Sequence, residues 1–193
     1  MTKRILVLLG HPDPRPERFC AALARAYVDA AREAGHAVRE VDLAQLDAPL
    51  LANAAQFAAP DIPSQIGALR DDILWAQHVV LIFPLWLGAP PAKLKALLEQ
   101  VFRAEFGFAV HARGWRSNLT GRSIRLVTTM ATPTAVFWMA FGGHGLLALQ
   151  RSVFWPAGFK PIRKTVIGGV EAIGGGGRLA WLARMRRWGA EAR

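Results

Sequence analysis

The sequence predicts one α/β domain built on a parallel sheet, and three observations lead to that prediction. Short, continuous apolar runs recur along the 193 residues and have the length of strands buried on both faces. Segments with helical spacing of apolar residues lie between these runs, and this alternation is typical of a parallel sheet covered by helices. Hydrophobic residues make up 52% of the chain and charged residues 20%, which is a globular composition. Residues 1–193 are therefore expected to form a single domain.

Two strands and a helix are predicted in the first part of the chain. Residues 4–9 form a continuous apolar run, which indicates a buried strand. Residues 19–33 carry apolar side chains at helical spacing, and Gly35 stands where a helix C-cap belongs. Residues 38–43 alternate apolar and charged side chains and predict a second strand near the sheet edge. The proline- and alanine-rich residues 46–63 are expected to form a long surface connection.

The middle of the chain repeats the alternation of helix and strand. Residues 65–75 predict a helix, and residues 79–83 are a third apolar strand that ends before Pro84. Residues 91–101 predict another helix, with a proline in its first turn and an apolar stripe along one side. Residues 124–129 predict the fourth strand.

The last third of the chain contains the most ambiguous segment. Residues 126–150 carry no formal charge, so a membrane span is one interpretation. Threonines, a proline and a glycine pair interrupt the segment, which favours a buried strand, an apolar loop and a helix start instead. No membrane span is expected, and a partner subunit is expected to cover the loop. Residues 165–167 with their upstream neighbours predict a fifth strand, residues 174–177 a flexible glycine loop, and residues 178–190 a final helix.

The net charge of +10 is the strongest anomaly of composition. Much of it lies in residues 103–125 and in the C-terminal segment. A basic surface attracts nucleotide phosphates, nucleic acid and acidic lipid headgroups, and a merely solvated basic face is an equal alternative. Nucleic-acid binding is not expected, because the tryptophans are spread along the chain and form no reading surface.

Other features narrow the class of protein. The single cysteine, Cys20, excludes an internal disulfide and fits a reducing compartment. The first apolar run is short and has no small-residue cleavage site after it, so a cytoplasmic protein is expected. Five scattered histidines and one cysteine predict no metal site, and neither a G-x-S-x-G nor an H-E-x-x-H motif is present.

Three turns are the candidates for ligand binding, because ligands of open parallel sheets bind at the carboxyl ends of the strands. Residues 10–19 lack a G-x-G-x-x-G motif but place prolines, Arg15 and Arg18 before a helix N-terminus, which suits a phosphate. Residues 83–95 could wall a flat aromatic ligand, and residues 128–133 offer hydroxyl and backbone donors. The alternative is that these are ordinary loops. Together they favour a flat, phosphorylated ligand.

An ordered set of short motifs makes this prediction more specific. They are Gly10-His11-Pro12, Phe83-Pro84-Leu85-Trp86, Pro91-Ala92-Lys93-Leu94-Lys95, Val101-Phe102, Glu105-Phe106-Gly107-Phe108, Thr128-Thr129 and His144-Gly145. The set covers most of the chain and resembles the NAD(P)H:quinone oxidoreductases, the quinone reductase branch of the flavodoxin-like fold. The resemblance implies a flavodoxin-like three-layer sandwich with a five-stranded parallel sheet of order 2-1-3-4-5.

The resemblance also implies roles for individual residues. By resemblance, the flavin phosphate would be surrounded by His11, Arg18, Phe19 and Cys20. The isoalloxazine ring would be held by Pro84, Leu85, Trp86, Leu87, Thr128, Thr129 and Met130. The substrate side would be lined by Phe108, and by Phe137 and Trp138 at the positions where relatives carry a tyrosine. His144, the remaining member of a Tyr-His pair in relatives, is the catalytic candidate.

The implied function is a two-electron oxidoreductase. Relatives bind a flavin, here expected to be FAD with FMN as the alternative, and pass hydride from NAD(P)H to a quinone or similar small acceptor by a ping-pong mechanism. They are typically homodimers with each flavin at the subunit boundary. The chain departs from them at Arg18, where a small hydroxyl residue is usual, and at Cys20, where an asparagine is usual.

Two other functions are weighed against this one. Some relatives are ancillary subunits that regulate potassium efflux systems, and the basic C-terminal helix would be the docking face for such a partner. A flavodoxin-type electron carrier ranks last, because those carriers are acidic and have a hydroxyl- and glycine-rich phosphate loop. For Cys20, a packed small residue is favoured over a thiol whose pKa is lowered by the helix N-terminus.

Overall fold

The computed structural model describes residues 1–112 and 114–193. The strands are β1 (Arg4–Leu9), β2 (Ala37–Asp42), β3 (His78–Pro84), β4 (Phe108–His111), β5 (Gly114–Ser117), β6 (Ser123–Thr129) and β7 (Ile162–Ile167). Five of them form a parallel sheet in the order β2-β1-β3-β6-β7, and β4 pairs with β5 as an antiparallel hairpin. Counted along the chain, the five parallel strands have the order 2-1-3-4-5, so the predicted topology is confirmed.

Helices cover both faces of this sheet. They are α1 (Phe19–Glu33), α2 (Ala54–Ala58), α3 (Ser64–Trp75), α4 (Ala92–Phe102), α5 (Thr134–Met139), α6 (His144–Ala148), α7 (Trp155–Ala157) and α8 (Gly174–Glu191). A π-helical turn, Leu149–Phe154, joins α6 to α7. The bounds of β1 and α1 are those predicted, and the other predicted elements that form agree within about two residues except at the start of the last strand and the last helix.

The strand β3 is the centre of the sheet and is buried along its whole length. Its side chains alternate between two apolar clusters, because successive residues of a strand point to opposite faces. Val80 and Ile82 belong to the cluster under α1 and α8. Leu81 and Phe83 belong to the larger cluster on the other face, which includes α3, α4 and the helical residues 146–157. The fold is thus a three-layer sandwich.

The prediction for residues 174–177 is wrong, because the four glycines form the first turn of α8 and not a flexible loop. The rest of the helix is held against α1 by Met185 and Trp188, which are buried in the same cluster as Tyr27. Gly189 lets the two helices approach closely, since a Cβ there would overlap the Tyr27 carbonyl oxygen. Tertiary packing therefore overrides the low helix propensity of glycine.

The predicted surface connection, residues 46–63, is more ordered than expected. It contains the short helix α2 and is tied to the end of α4 by the buried Arg103 guanidinium. Arg103 donates hydrogen bonds to the carbonyl oxygens of Gln56 (2.6 Å), Ala59 (3.0 Å) and Asp61 (2.6 Å). The buried Arg103 guanidinium thereby pairs with backbone carbonyls of a segment that has little regular secondary structure.

The uncharged residues 126–150 form the end of β6, the helix α5 and the start of the helical residues 144–157. In the part of the chain that the structure describes, no helix has the length and apolar character of a membrane span. Four large apolar side chains of this segment are exposed: Val136, Trp138, Met139 and Phe141.

Replacing Gly189 with alanine tests the close packing of α1 and α8. The added Cβ would overlap the Tyr27 carbonyl, so the free energy of unfolding should fall by about 1–3 kcal/mol. Gly176 is the control, because a Cβ there meets no atom within 4 Å. Gly176→Ala should raise the free energy of unfolding by about 0.4–1 kcal/mol. Urea denaturation of both variants measures the difference, and equal midpoints would contradict the packing.

His78 makes the stability of the domain sensitive to acid. Its side chain is fully buried, its Nδ1 pairs with Ser123 Oγ at 2.7 Å, and its Nε2 has no hydrogen-bond partner among the described residues. Burial, followed by the positive charges of Lys3 and Arg125, lowers its pKa from 6.5 to about 3. The folded state therefore resists protonation of this histidine.

The pH dependence follows from this shift. Below pH 6.5 the unfolded chain takes up a proton that the folded chain does not take up until about pH 3, so the free energy of unfolding falls as the pH falls. The contribution of His78 amounts to about 2 kcal/mol less stability at pH 5 than at pH 7. His78→Leu should remove this difference in urea denaturation, whereas Ser123→Ala, which keeps the imidazole, should retain it.

Candidate functional site

The turns after β1, β3 and β6 meet at one edge because these three strands are parallel neighbours in the sheet. Backbone hydrogen bonds extend the pairing past the last strand residues. The Gly10 amide donates to the Ile82 carbonyl at 2.7 Å, and the Leu85 amide donates to the Thr129 carbonyl at 2.8 Å. The starts of the three turns are therefore fixed by the sheet, and two adjoining cavities open between them.

The larger cavity has a volume of about 790 Å³, which lies within the range of small-molecule sites. Its lining is mostly apolar and comes from the turn after β3, the turn after β6, and the segment from α5 to the start of α6. The lining residues are Leu85, Trp86, Leu87, Gly88, Ala89, Met130, Ala131, Thr132, Phe137, Phe141, His144 and Gly145. Such a pocket suits a flat aromatic ligand.

One wall of the larger cavity is a strained turn. Trp86 and Ala89 exchange two backbone hydrogen bonds of 2.9 and 3.0 Å, and the two residues between them have positive φ. Gly88 adopts its φ of 77° freely, but Leu87 has a φ of 50° and a fully exposed side chain. Left-handed backbone at a non-glycine residue costs energy and is concentrated at ligand sites. Gly145 packs directly on this turn, since a Cβ there would overlap the Gly88 carbonyl oxygen.

The smaller cavity has a volume of about 500 Å³ and lies beside the start of α1. Its lining includes charged side chains, unlike that of the larger cavity. The lining residues are His11, Glu17, Arg18, Phe19, Cys20, Pro84, Leu85, Trp86, Thr129, Met130, Ala131, Val170, Glu171 and Arg178. Leu85, Trp86, Met130 and Ala131 line both cavities. One elongated ligand could therefore occupy both.

The N-terminus of α1 supplies hydrogen-bond donors to the smaller cavity. The N-cap residue is Arg18, whose side chain makes no capping hydrogen bond, and the first intrahelical bond runs from the Ala22 amide to the Arg18 carbonyl. The amides of the first turn have no side-chain cap, and the helix dipole adds positive potential there. Phe19 and Cys20 belong to this turn and line the cavity, so the geometry fits an anionic group.

The structure determines which ring nitrogen of His11 carries the proton. Its Nδ1 accepts a hydrogen bond from the Asp13 amide at 3.0 Å, so the neutral ring carries its proton on Nε2. Partial burial lowers the pKa of His11 below its usual value, against the opposing effect of Asp13. The ring packs edge-on against Trp86, with centroids 6.1 Å apart. His11 is therefore a neutral N–H donor in the smaller cavity.

Arg18 is paired with an acid in this structure. Its Nε donates to Asp13 Oδ2 at 2.7 Å, and its Nη2 contacts the same oxygen. Arg15 binds the same carboxylate at 2.7 Å. The backbone amide of Arg15, together with its guanidinium, lowers the pKa of Asp13. A ligand phosphate would have to compete with this carboxylate for Arg18, or share the guanidinium with it.

Cys20 is a packed thiol and not an activated one. It is 2% exposed, and its Sγ lies 3.2 Å from Thr129 Oγ1. Burial raises its pKa to about 11, and the contact with Thr129 offsets only part of that effect. Of the two interpretations of the sequence, the packed small residue is the one that the structure supports.

Most of the residues predicted for the site line the two cavities. Those that do are His11, Arg18, Phe19, Cys20, Pro84, Leu85, Trp86, Leu87, Thr129, Met130, Phe137 and His144. Thr128, Phe108 and Trp138 line neither cavity. Thr128 is fully buried and its Oγ1 points to the Thr165 carbonyl at 3.5 Å. Phe108 packs on the larger apolar cluster, and Trp138 packs on Phe137 with centroids 5.1 Å apart. Their roles stay predictions.

Three charged residues of the smaller cavity were not predicted from the sequence. They are Glu17, Glu171 and Arg178. Arg178 donates to the Val170 carbonyl at 2.8 Å, and its guanidinium lies 5.0 Å from the centroid of the Phe19 ring. Glu171 and Arg178 follow β7, whose carboxyl end lies at the same edge as those of β1, β3 and β6. The fifth predicted strand is the sequence feature that could have pointed to Glu171 and Arg178, because the turn after it lies at the same edge of the sheet as the other three turns.

Comparison with known proteins places this architecture in a family. Residues 3–186 match the flavodoxin-2 family, which is described by its flavodoxin-like fold. A ribosyldihydronicotinamide dehydrogenase-like protein from Penicillium crustosum is 26% identical over 154 residues. That match covers 66% of this chain and only 57% of the relative's length.

Solved structures share the fold over nearly the whole chain. An NAD(P)H:quinone oxidoreductase from Methanothermobacter marburgensis superposes with a TM-score of 0.76 at 22% identity, covering 100% of this chain and 98% of its own. An FMN-dependent NADH-azoreductase from Bacillus anthracis, in complex with FMN, superposes with a TM-score of 0.71 at 16% identity, covering 100% and 97%. These likenesses establish the fold and leave the function to be argued from the site.

The environment of Cys20 predicts slow thiol chemistry. At pH 8, the shift of its pKa from 9.0 to about 11 leaves roughly 100-fold less thiolate than in the unfolded chain. The native protein should therefore react with Ellman's reagent at least that much more slowly than the urea-unfolded protein. Thr129→Val, which removes the hydroxyl contact, should slow the reaction further. A native rate equal to the unfolded rate would show that the thiol is not buried as described.

Proposed function

The chain belongs to the flavodoxin-2 family of flavodoxin-like-fold proteins, and from that premise we propose that it is a flavin-dependent NAD(P)H oxidoreductase. The proposed reaction passes two electrons by ping-pong hydride transfer to a quinone or similar small acceptor. A bound flavin would supply the hydride chemistry, and the protein would supply binding, orientation and electrostatics. The single observation that carries the proposal is the pair of adjoining cavities, one apolar and one rich in N–H donors, at the carboxyl edge of the sheet.

The smaller cavity fits the phosphate of a flavin. Its donors are the uncapped amides at the start of α1, the Nε2–H of His11 and the guanidinium of Arg18. Arg18 would replace the small hydroxyl residue of relatives, and Asp13 would moderate its charge. The neighbour that carries FMN favours FMN over FAD for this chain, and the two flavins are distinguished by the experiment below.

The larger cavity fits a ring system stacked against an apolar wall. Trp86 and Leu87 would flank one edge of the ring, and Met130 lies where the two cavities meet. His144 also lines this cavity, and its imidazole would hold or move a proton at the ring edge. Phe137 is buried and lines the same cavity, so its ring would help to exclude water from it. The open side leaves room for NAD(P)H and the acceptor in turn.

A second subunit is part of the proposal. Phe141, which lines the larger cavity, is 54% exposed, and Met139 at the end of α5 is 80% exposed. An exposed apolar group at the mouth of a cavity favours burial by a partner, as the homodimers of related quinone reductases imply. Light scattering should therefore give twice the mass of one chain.

The ancillary-subunit alternative receives less support. It would use the basic C-terminal helix as a docking face, but Arg186 pairs with Glu33 at 2.6 Å and Arg193 pairs with Glu191 at 2.7 Å. These ion pairs reduce the free positive charge that an acidic partner would meet.

The visible spectrum of the purified protein tests the proposed function. The protein is mixed separately with FMN and FAD, freed of unbound flavin, and treated with NADPH and then NADH without oxygen. Bound-flavin absorbance that bleaches with a nicotinamide and returns with a quinone is the expected result. Flavin that binds but is reduced by neither nicotinamide would favour the ancillary role. If neither flavin binds, the proposal fails.

His144→Ala tests the proposed role of the histidine. The imidazole borders the ring cavity but lies outside the cavity that would hold the phosphate, so flavin affinity should change little. Flavin reduction by NADPH in stopped flow should slow by about 100-fold, which is typical for loss of a proton-handling group. His11→Ala is the matched control, and it should weaken flavin binding more than it slows reduction of the flavin that remains bound. Unchanged reduction in His144→Ala would remove this residue from the mechanism.

A further inference from the structure

The charges of the smaller cavity are balanced, unlike those of the whole chain. Its lining contains two carboxyl groups, those of Glu17 and Glu171, and two guanidinium groups, those of Arg18 and Arg178. These formal charges cancel, whereas the chain carries a net charge of +10. A phosphate in this cavity therefore depends on individual guanidinium groups and not on a general excess of positive charge.

The two guanidinium groups of the cavity differ in what already binds them. Arg178 donates to the Val170 carbonyl at 2.8 Å and lies over the Phe19 ring, and both of these partners are uncharged. Arg18 instead donates from Nε to Asp13 Oδ2 at 2.7 Å, and its Nη2 contacts the same oxygen. Because Asp13 is an acid, its carboxylate and a phosphate would compete for the guanidinium of Arg18.

Asp13 does not depend on Arg18 alone for its hydrogen bonds. The Arg15 amide donates to Oδ1 of this carboxylate at 3.0 Å. The Nε of Arg15 lies 3.0 Å from both carboxylate oxygens, and its Nη2 lies 2.7 Å from Oδ2. The carboxylate therefore keeps a counterion when Arg18 turns away from it, so a change of partner by Arg18 leaves no charge unpaired.

The place of Arg18 in the chain lets it serve either partner. It is the N-cap residue of α1, and its side chain makes no capping hydrogen bond. The side chain thus begins beside the first-turn amides that fit an anionic group. It is 39% exposed, so packing leaves the guanidinium room to change its rotamer.

From these contacts we infer that Asp13 is an internal competitor of the flavin phosphate, and that Arg18 exchanges Asp13 for the phosphate when a flavin nucleotide binds. The inference rests on the proposed function, because it concerns the phosphate of the proposed flavin. A phosphate monoester such as that of FMN carries nearly two negative charges on three oxygens, against one charge on the carboxylate. The guanidinium would therefore prefer the phosphate, and the flavin affinity would be the difference between two ion pairs.

Equilibrium fluorescence titration of the whole chain with FMN, and in parallel with FAD, measures this competition. Asp13→Asn keeps an oxygen for the Arg15 amide but removes the charge that holds Arg18. It should bind FMN about five-fold more tightly, the effect of one partly exposed ion pair. Arg18→Gln should bind FMN about five-fold more weakly, because a charge-assisted bond to phosphate outweighs the pair that it replaces. Both changes should have the same direction with FAD.

The double variant Asp13→Asn/Arg18→Gln separates exchange of partners from simple repulsion. In the absence of Arg18, removal of the Asp13 charge should alter FMN affinity by less than about two-fold, since no guanidinium is left to withhold. A five-fold gain that persists in the Arg18→Gln background would show that Asp13 only repels the phosphate, and it would overturn the inference. Riboflavin has the same ring without a phosphate, so its affinity should be equal in all four proteins.

Two control variants test for general effects of charge. Asp29→Asn and Arg32→Gln each remove one charge from the remainder of α1, and both should bind FMN as the parent does. FMN that binds and is reduced by NAD(P)H, with no gain of affinity in Asp13→Asn, would overturn this inference and leave the proposed function intact. If neither FMN nor FAD binds to the parent or to Asp13→Asn, the inference and the proposed function both fail.

Discussion

The strand β3 is buried on both faces and hydrogen-bonded on both edges, and the position of the candidate site follows from this. Its pairing with β1 continues to Ile82 and its pairing with β6 continues to Pro84, so the positions at which the neighbouring turns begin are fixed by the sheet. The Gly10 and Leu85 amides extend this pairing beyond the strands. Backbone hydrogen bonds thereby hold together residues that are 72 positions apart (Gly10 and Ile82) and 44 positions apart (Leu85 and Thr129) in the sequence, and the side chains above them need only shape the cavities.

The two cavities have different binding properties: the smaller one offers hydrogen-bond donors, and the larger one offers apolar walls. His11 and Arg18 give the smaller cavity its side-chain hydrogen-bond donors. Asp13 pairs with Arg18 and partly neutralises the positive charge of its guanidinium. Phe137 and the strained turn at Leu87 give the larger cavity its shape. Cys20, with its raised pKa, contributes volume and not reactivity. A ligand with a flat ring and an anionic tail would satisfy both halves, which is why a flavin is the proposed cofactor.

Much of this architecture could be predicted from local sequence patterns, because the formation of these elements depends on residues that are close together in the sequence. The bounds of β1 and α1 follow from an apolar run and from helical spacing, and the strand order follows from motifs typical of a family. The glycines at residues 174–177 misled the prediction, since their propensity is local whereas α8 is held by Trp188 and Gly189 against α1. The β4–β5 hairpin went unpredicted because its strands have four residues each, too few for a periodic signal.

The sequence by itself determined the family, the parallel sheet and the site at its carboxyl edge. Only the tertiary structure decided which of the predicted residues reach the cavities. Neighbouring strand residues point to opposite faces, so Thr129 lines the smaller cavity while Thr128 does not. The entry of Arg178 into the same cavity depends on where α8 begins relative to α1. Such positions result from packing between distant segments, and no local pattern of residues encodes them.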